Sequence, residues 1–238
     1  MTDAIIAAAP AAVGTELRNT ARTTGAFYLA FFVAGILGTF VVRGQLFVDG
    51  DPAATLSNLT GHEGLVRLGI ALELAIVLAQ ALTALCFYRL YRGVDRVAAG
   101  ALVLFGMAGA TAILRSAALL ATAHQVATDT SLATGIGAAA TVQLLYVTSG
   151  HLWGVAAVFF GLWLIPMGWL VLRSRWQPKA LGWTLVLAGV GYLLSAFTAY
   201  LLPGTDLVSQ LITLPSIVGE VWIMGYLLTV GIGHRYER

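Results

Sequence analysis

The chain has 238 residues, 59% of them hydrophobic and 10% charged, and a mean hydropathy of +0.87. Soluble domains carry about 25% charged residues, so this balance argues against a water-soluble globule. A formal net charge of +2 without a basic patch interleaved with aromatics argues against nucleic acid as a partner, and Cys86, the only cysteine, excludes an intrachain disulfide and a CxxC metal or thiol pair.

Residues 1–21 are alanine-rich and broken by Pro10 and Gly14. They are expected to form a cytoplasmic tail, either mobile or a short surface helix, ahead of a single transmembrane domain over 22–233 and a short cytoplasmic end over 234–238. The first apolar run, about Thr23 to Val42, has no small-residue cleavage site after it and is expected to stay in the membrane. A polar loop follows, in which Thr60 and Glu63 form a predicted capping box for a second span, about Gly64 to Tyr88, with His62 beside it. Arg89, Arg92, Asp95 and Arg96 make a tight basic turn before a third span, about Val97 to Ala123. The segment from His124 to Ala140 then reads as a loop. From Leu152 to Leu172 no residue is charged, and at about 1.5 Å per residue this run covers the ~30 Å of a bilayer core.

Arg173, Arg175 and Lys179 fill the next turn, and a fifth span begins at once. Gly154, Gly161 and Gly168 recur every seven residues and are answered by Gly182, Gly189 and Ala196. That spacing predicts two antiparallel helices in close contact along one small-residue face. Residues 202–216 read as another loop, and a sixth span has Pro215 near its start and ends at His234 and Arg235. The expected fold class is therefore all-α, a polytopic six-helix membrane bundle whose partner is the lipid bilayer.

Of the thirteen Lys and Arg, ten fall at the termini or in the turns at 89–96 and 173–179. Basic residues collect on the cytoplasmic side, which predicts both termini and these two turns there. Arg43 and Arg67 lie at the opposite ends of their spans, where snorkelling accounts for them. Arg115 has no such explanation. It lies about 28 Å along its helix from Arg96, with Thr111 and Thr122 on its face. Glu73, with Gln80 seven residues on, and Glu220 are further ionisable or polar groups at membrane depth, so an interior pair of Arg115 with Glu73 or Glu220 is expected. His151 is expected near the outer edge, at the start of the fourth span.

Two readings of this cluster stand side by side. It is a structural ion pair that fixes helix register, or a cavity open to the outside in which Arg115 meets a ligand and a glutamate handles a proton or cation. His124 and His151 supply a further alternative as haem or metal ligands at the outer helix ends, although no HxxxH or HExxH spacing accompanies them. Ser149 next to Gly150 and His151 lacks the GxSxG of a serine hydrolase. Apart from that haem or metal alternative, no cofactor is expected.

The stretches RTTGAFYLAFFVAGILG, LVRLGIALELA, LCFYRLYR and FFGLWLIPMGWLVLRSRWQPKALGW resemble a family of bacterial six-helix membrane proteins known as a domain of unknown function. The likeness covers about residues 20–232 and implies an inner-membrane location and six helices, with no activity attached. The leading expectation is a non-enzymatic protein that binds, senses or transports a small polar or lipid-derived molecule. The rivals are a haem or metal redox protein and a structural or partner-binding subunit.

Overall fold

The computed structural model describes residues 2–133, 135, 137–202, 204 and 206–232. The expected C-terminal end, with His234, Arg235 and Arg238, lies outside the described residues. Among the described residues seven helices of ten residues or more follow in order: α1 (Thr2–Ile36), α2 (Pro52–Gly61), α3 (Glu63–Tyr91), α4 (Arg96–Thr128), α5 (Ala138–Arg173), α6 (Lys179–Leu201) and α7 (Asp206–Thr229). After α1 the chain widens into a π-helix, Leu37–Arg43, and one further short turn, Gly44–Leu46. Six of these segments are long and apolar enough to cross a membrane, running Gly14–Leu46, Glu63–Tyr91, Arg96–Thr128, Ala138–Arg173, Lys179–Leu201 and Leu207–Thr229. The protein is an all-α, multi-pass membrane protein.

Several boundaries differ from the sequence expectation, and lipid explains the direction of most of them. α5 starts at Ala138, so His151 lies well inside a helix, and α7 starts at Asp206, so Pro215 is an interior residue. Ser, Thr and Gln made these stretches look like loops. In hydrocarbon an unpaired backbone group costs more than a polar side chain that can serve itself. The threonines do so by donating to carbonyls four residues back, Thr141 to Gly137 at 3.0 Å, Thr148 to Leu144 at 2.8 Å and Thr213 to Ser209 at 3.2 Å. α1 is helical from Thr2, through the segment expected to be a tail.

The capping box at Thr60 does not form, because Thr60 sits in the last turn of α2 and donates to Leu56 and Ser57. Glu63 pairs with Arg67 instead, at 3.0 Å on an exposed face. The start of α3 is served by the His62 carbonyl, which accepts from the amides of Leu65 and Val66. α2 itself is capped by Asp51, whose carboxylate accepts the Ala54 amide at 2.9 Å with Pro52 at the first position.

The chain divides into two compact units. One comprises Met1–Leu29, Gln80–Ala108 and Ala157–Arg238. Here α5 and α6 meet backbone to backbone: a Cβ on Gly161 would lie 2.6 Å from the Gly189 carbonyl, and one on Gly168 would lie 2.5 Å from that of Gly182. Gly154 is exposed. Tyr28, Phe87 and Trp163 form an aromatic knot with centroids 5.8 to 6.4 Å apart. Trp176 and Gln177, in the turn after α5, fold inward. The Tyr91 hydroxyl donates to Gln177, the Tyr91 ring stacks on Trp176 at 5.6 Å, and Tyr226 donates to the Trp176 carbonyl at 2.5 Å. Asp95 caps α4 and ties the two basic turns together, accepting the amides of Val97 and Ala98 and the Trp169 indole at 3.2 Å, with Arg173 at 3.6 Å. The Ala98 amide first, then the Trp169 indole, hold its carboxyl below the usual range.

The other unit comprises Ala30–Ala79 and Gly109–Ala156. Its core gathers Val42, Leu46, Leu59, Val66, Leu120 and Tyr146 among others, with α2 contributing Leu59.

Candidate functional site

The polar centre of this second unit starts at Arg43, the last residue of the π-helix. π-turns are rare and concentrate at functional positions because they re-aim side chains relative to a regular helix. Arg43 is half-buried and lies over the rings of Phe47 and Tyr146, at 5.2 and 5.6 Å from their centroids. Such contacts favour a guanidinium without neutralising it. Space for it comes from Gly150, where a Cβ would sit 2.9 Å from an Arg43 terminal nitrogen.

From Arg43 a line of hydrogen bonds crosses three helices. Nη2 donates to the Tyr146 carbonyl at 2.6 Å and Nη1 to Ser149 Oγ at 3.1 Å. Ser149 Oγ lies 2.8 Å from Ser116 Oγ, and Ser116 donates to Glu73 Oε1 at 2.9 Å. A guanidinium only donates and a carboxylate only accepts, which sets every proton: Arg43 to Ser149, Ser149 to Ser116, Ser116 to Glu73. The O–H dipoles therefore all point from cation to anion. Glu73 Oε1 also accepts the Trp153 indole N–H at 3.0 Å. Among the described residues, Glu73 Oε2 is buried without a hydrogen-bond partner.

Arg43, Glu73, Tyr146 and Trp153 line a cavity of about 280 Å³, closed elsewhere by apolar residues such as Val42, Leu46 and Ile76 and by Gly35, Gly38, Gly69 and Gly150. Thr39, in the π-helix, lines it and is exposed, so the cavity reaches the protein surface beside the first span. Its size is near the lower end of small-molecule sites, about 300–1,000 Å³.

Of the residues singled out from sequence, Glu73 alone lines the cavity, and it does so with different partners from those expected. Arg115 and Thr111 are exposed, and among the described residues no ion pair joins Arg115 to Glu73 or Glu220. The interior face of α4 carries Ile113, Ser116, Ala117, Leu120 and Ala123, all buried. Arg115 is one residue off that face, and one residue turns a helix by about 100°. Gln80 and Glu220 belong to the first unit. Among the described residues Gln80 is buried with Oε1 unpartnered, and Glu220 is buried and hydrogen-bonded by the Tyr28 hydroxyl. His151 is exposed, and His124 is half-buried, its Nδ1 lacking a hydrogen-bond partner among the described residues. Among the described residues no cluster of three or more His, Cys, Asp or Glu offers a metal site.

Arg43, Ser116, Tyr146, Ser149 and Trp153 are the site residues that sequence reasoning missed. The usable signal was positional: Ser116 interrupts an apolar stripe spaced by three and four, and Ser149 and Trp153 are four apart on one face of α5.

A family described as a domain of unknown function, DUF4386, matches residues 23–231. The chain belongs to that family. No curated protein matches it, and no solved structure does. Membership in DUF4386 bears out the resemblance read from the hairpin and covers every residue of the relay from Arg43 to Trp153. It attaches no activity to them.

Proposed function

We propose that this protein binds a small polar or lipid-derived molecule inside the membrane, in the cavity walled by Arg43 and Glu73, without transforming it. The observation that carries this reading is a mostly apolar cavity lined by Arg43 and Glu73, beside which, among the described residues, Glu73 keeps a buried carboxylate oxygen without a hydrogen-bond partner. A buried acceptor left open costs about 1–3 kcal/mol, more if charged, which a pure packing role gives no reason to keep. Gly35 supplies the test, since it lines the cavity and a Cβ there meets nothing within 4 Å. Gly35→Leu should fill the space without disturbing the fold. In lipid nanodiscs, 8-bromo-1-octanol, a contact quencher of indoles, should reduce tryptophan emission saturably in the wild type through Trp153, and the saturable component should vanish in Gly35→Leu. Equal, non-saturating quenching of both proteins would reduce the relay to interhelical glue.

We further infer a bacterial inner-membrane location with both termini cytoplasmic, supported by ten of thirteen Lys and Arg in the termini and two turns. On a Cys86→Ser background in spheroplasts, an impermeant thiol reagent should label Ser57→Cys and Ser131→Cys and spare Gly93→Cys. The opposite pattern would invert the topology.

A further inference from the structure

The turns at 89–96 and 173–179 concentrate charge in the first unit, away from the cavity. Arg89, Arg92, Arg96, Arg173, Arg175 and Lys179 are all exposed, in a chain whose formal net charge is only +2. Against these six cations stands one carboxylate, Asp95, and its ion pair among the described residues is with Arg173. Five of the six are arginines, which stay charged in proteins. The two turns make one surface. Tyr91 stacks on Trp176 and donates to Gln177, Asp95 accepts the Trp169 indole, and the Arg173 guanidinium lies 4.6 Å over the Trp169 ring. Arg175 adopts the left-handed conformation, φ +60°, and is exposed while Trp176 and Gln177 after it are buried. Cations on a surface fixed in this way lose little freedom when they engage an anion. Location decides between a soluble anion and a lipid. Arg96, Arg173 and Lys179 are the terminal residues of three membrane-spanning segments, at the level of headgroup phosphates. Trp169, one helical turn inside Arg173, is 45% exposed and offers an apolar face beside the cations. We propose that the joined turns hold the phosphate of an anionic phospholipid headgroup, with an acyl chain against Trp169. This site does not depend on the cavity or its occupant.

Phosphatidylcholine nanodiscs doped with increasing phosphatidylglycerol provide the test, with the unfolding midpoint as readout. Both leaflets carry the anionic lipid, so sidedness does not enter. The wild-type midpoint should rise saturably with the phosphatidylglycerol fraction. In Arg92→Gln/Arg96→Gln/Arg175→Asn that rise should fall by about half or more. These three side chains pair with no carboxylate among the described residues, and asparagine tolerates the left-handed backbone, so the fold should be kept. The double variant Arg92→Gln/Arg96→Gln leaves position 175 untouched and should change the rise in the same direction. Arg22→Gln/Arg67→Gln/Arg115→Gln removes as much exposed charge away from the turns and should keep most of the rise. Equal losses in the two triple variants would reduce the effect to the general attraction of basic residues to an anionic surface and overturn the site. An undiminished rise in the turn variants, or no rise in the wild type, would overturn it too. Glycerol phosphate added to pure phosphatidylcholine nanodiscs separates the sources: it should leave the midpoint unchanged, and a saturable rise would make the occupant a soluble anion instead of a lipid.

Discussion

Gly168→Ala is expected to destabilise the protein by about 1–3 kcal/mol, a large effect for one methyl group. The new Cβ would lie 2.5 Å from the Gly182 carbonyl oxygen and 2.8 Å from the Val186 amide nitrogen, both backbone atoms of α6. No rotamer change can relieve that contact. The helices must move apart, and with them goes the reciprocal approach of Gly189 to Gly161, where a Cβ would meet the Gly161 carbonyl at 2.8 Å. Close backbone packing replaces the hydrophobic effect as the force between helices in lipid, so separation forfeits dispersion that nothing else restores. Gly161→Ala should behave alike, whereas Gly35→Ala, with open space around it, should be nearly silent. Equilibrium unfolding in mixed micelles measures all three, and equal stability of Gly168→Ala and Gly35→Ala would show that α5 and α6 do not meet through their glycines.

This pairing was legible because glycine spacing is a one-dimensional signal: positions seven apart share a helix face whatever surrounds them. Span number was legible for the same reason, since length and hydropathy are local. Gly154 marks where the pattern stops carrying information, because it continues the repeat yet is exposed. The relay was harder to see. Depth along a helix can be counted from sequence to within a turn, and depth alone paired Arg115 with Glu73. Azimuth cannot be fixed so well in a membrane helix, where the lipid-facing side is as apolar as the core, and the error fell between Arg115 and its neighbour Ser116. Arg43 was hidden by its place at a span end, where long basic side chains ordinarily reach for the interface. The π-helix that precedes it has no sequence signature on which to predict the inward turn.

The second large effect concerns the coupling of Arg43 to Glu73. Glu73→Ala strips acceptors from Ser116 and Trp153 and leaves the guanidinium unbalanced, an expected loss of about 1–3 kcal/mol or more. Arg43→Ala leaves the carboxylate instead. Because each single variant strands the other charge, the double variant should be less destabilised than the sum, with a coupling energy of about 0.5–3 kcal/mol. The path of that coupling can be tested separately by repeating the cycle on Ser116→Ala, which cuts the line of hydroxyls at its midpoint. If the serine dipoles carry it, most of the coupling disappears on that background. If it survives intact, the two charges feel each other directly and the serines are bystanders. Arg115→Ala provides the control: being exposed and outside any ion pair with Glu73, it should add to Glu73→Ala within about 0.5 kcal/mol. Strong non-additivity there, with none at Arg43, would mean that α4 presents Arg115 to the interior and that the relay is misassigned.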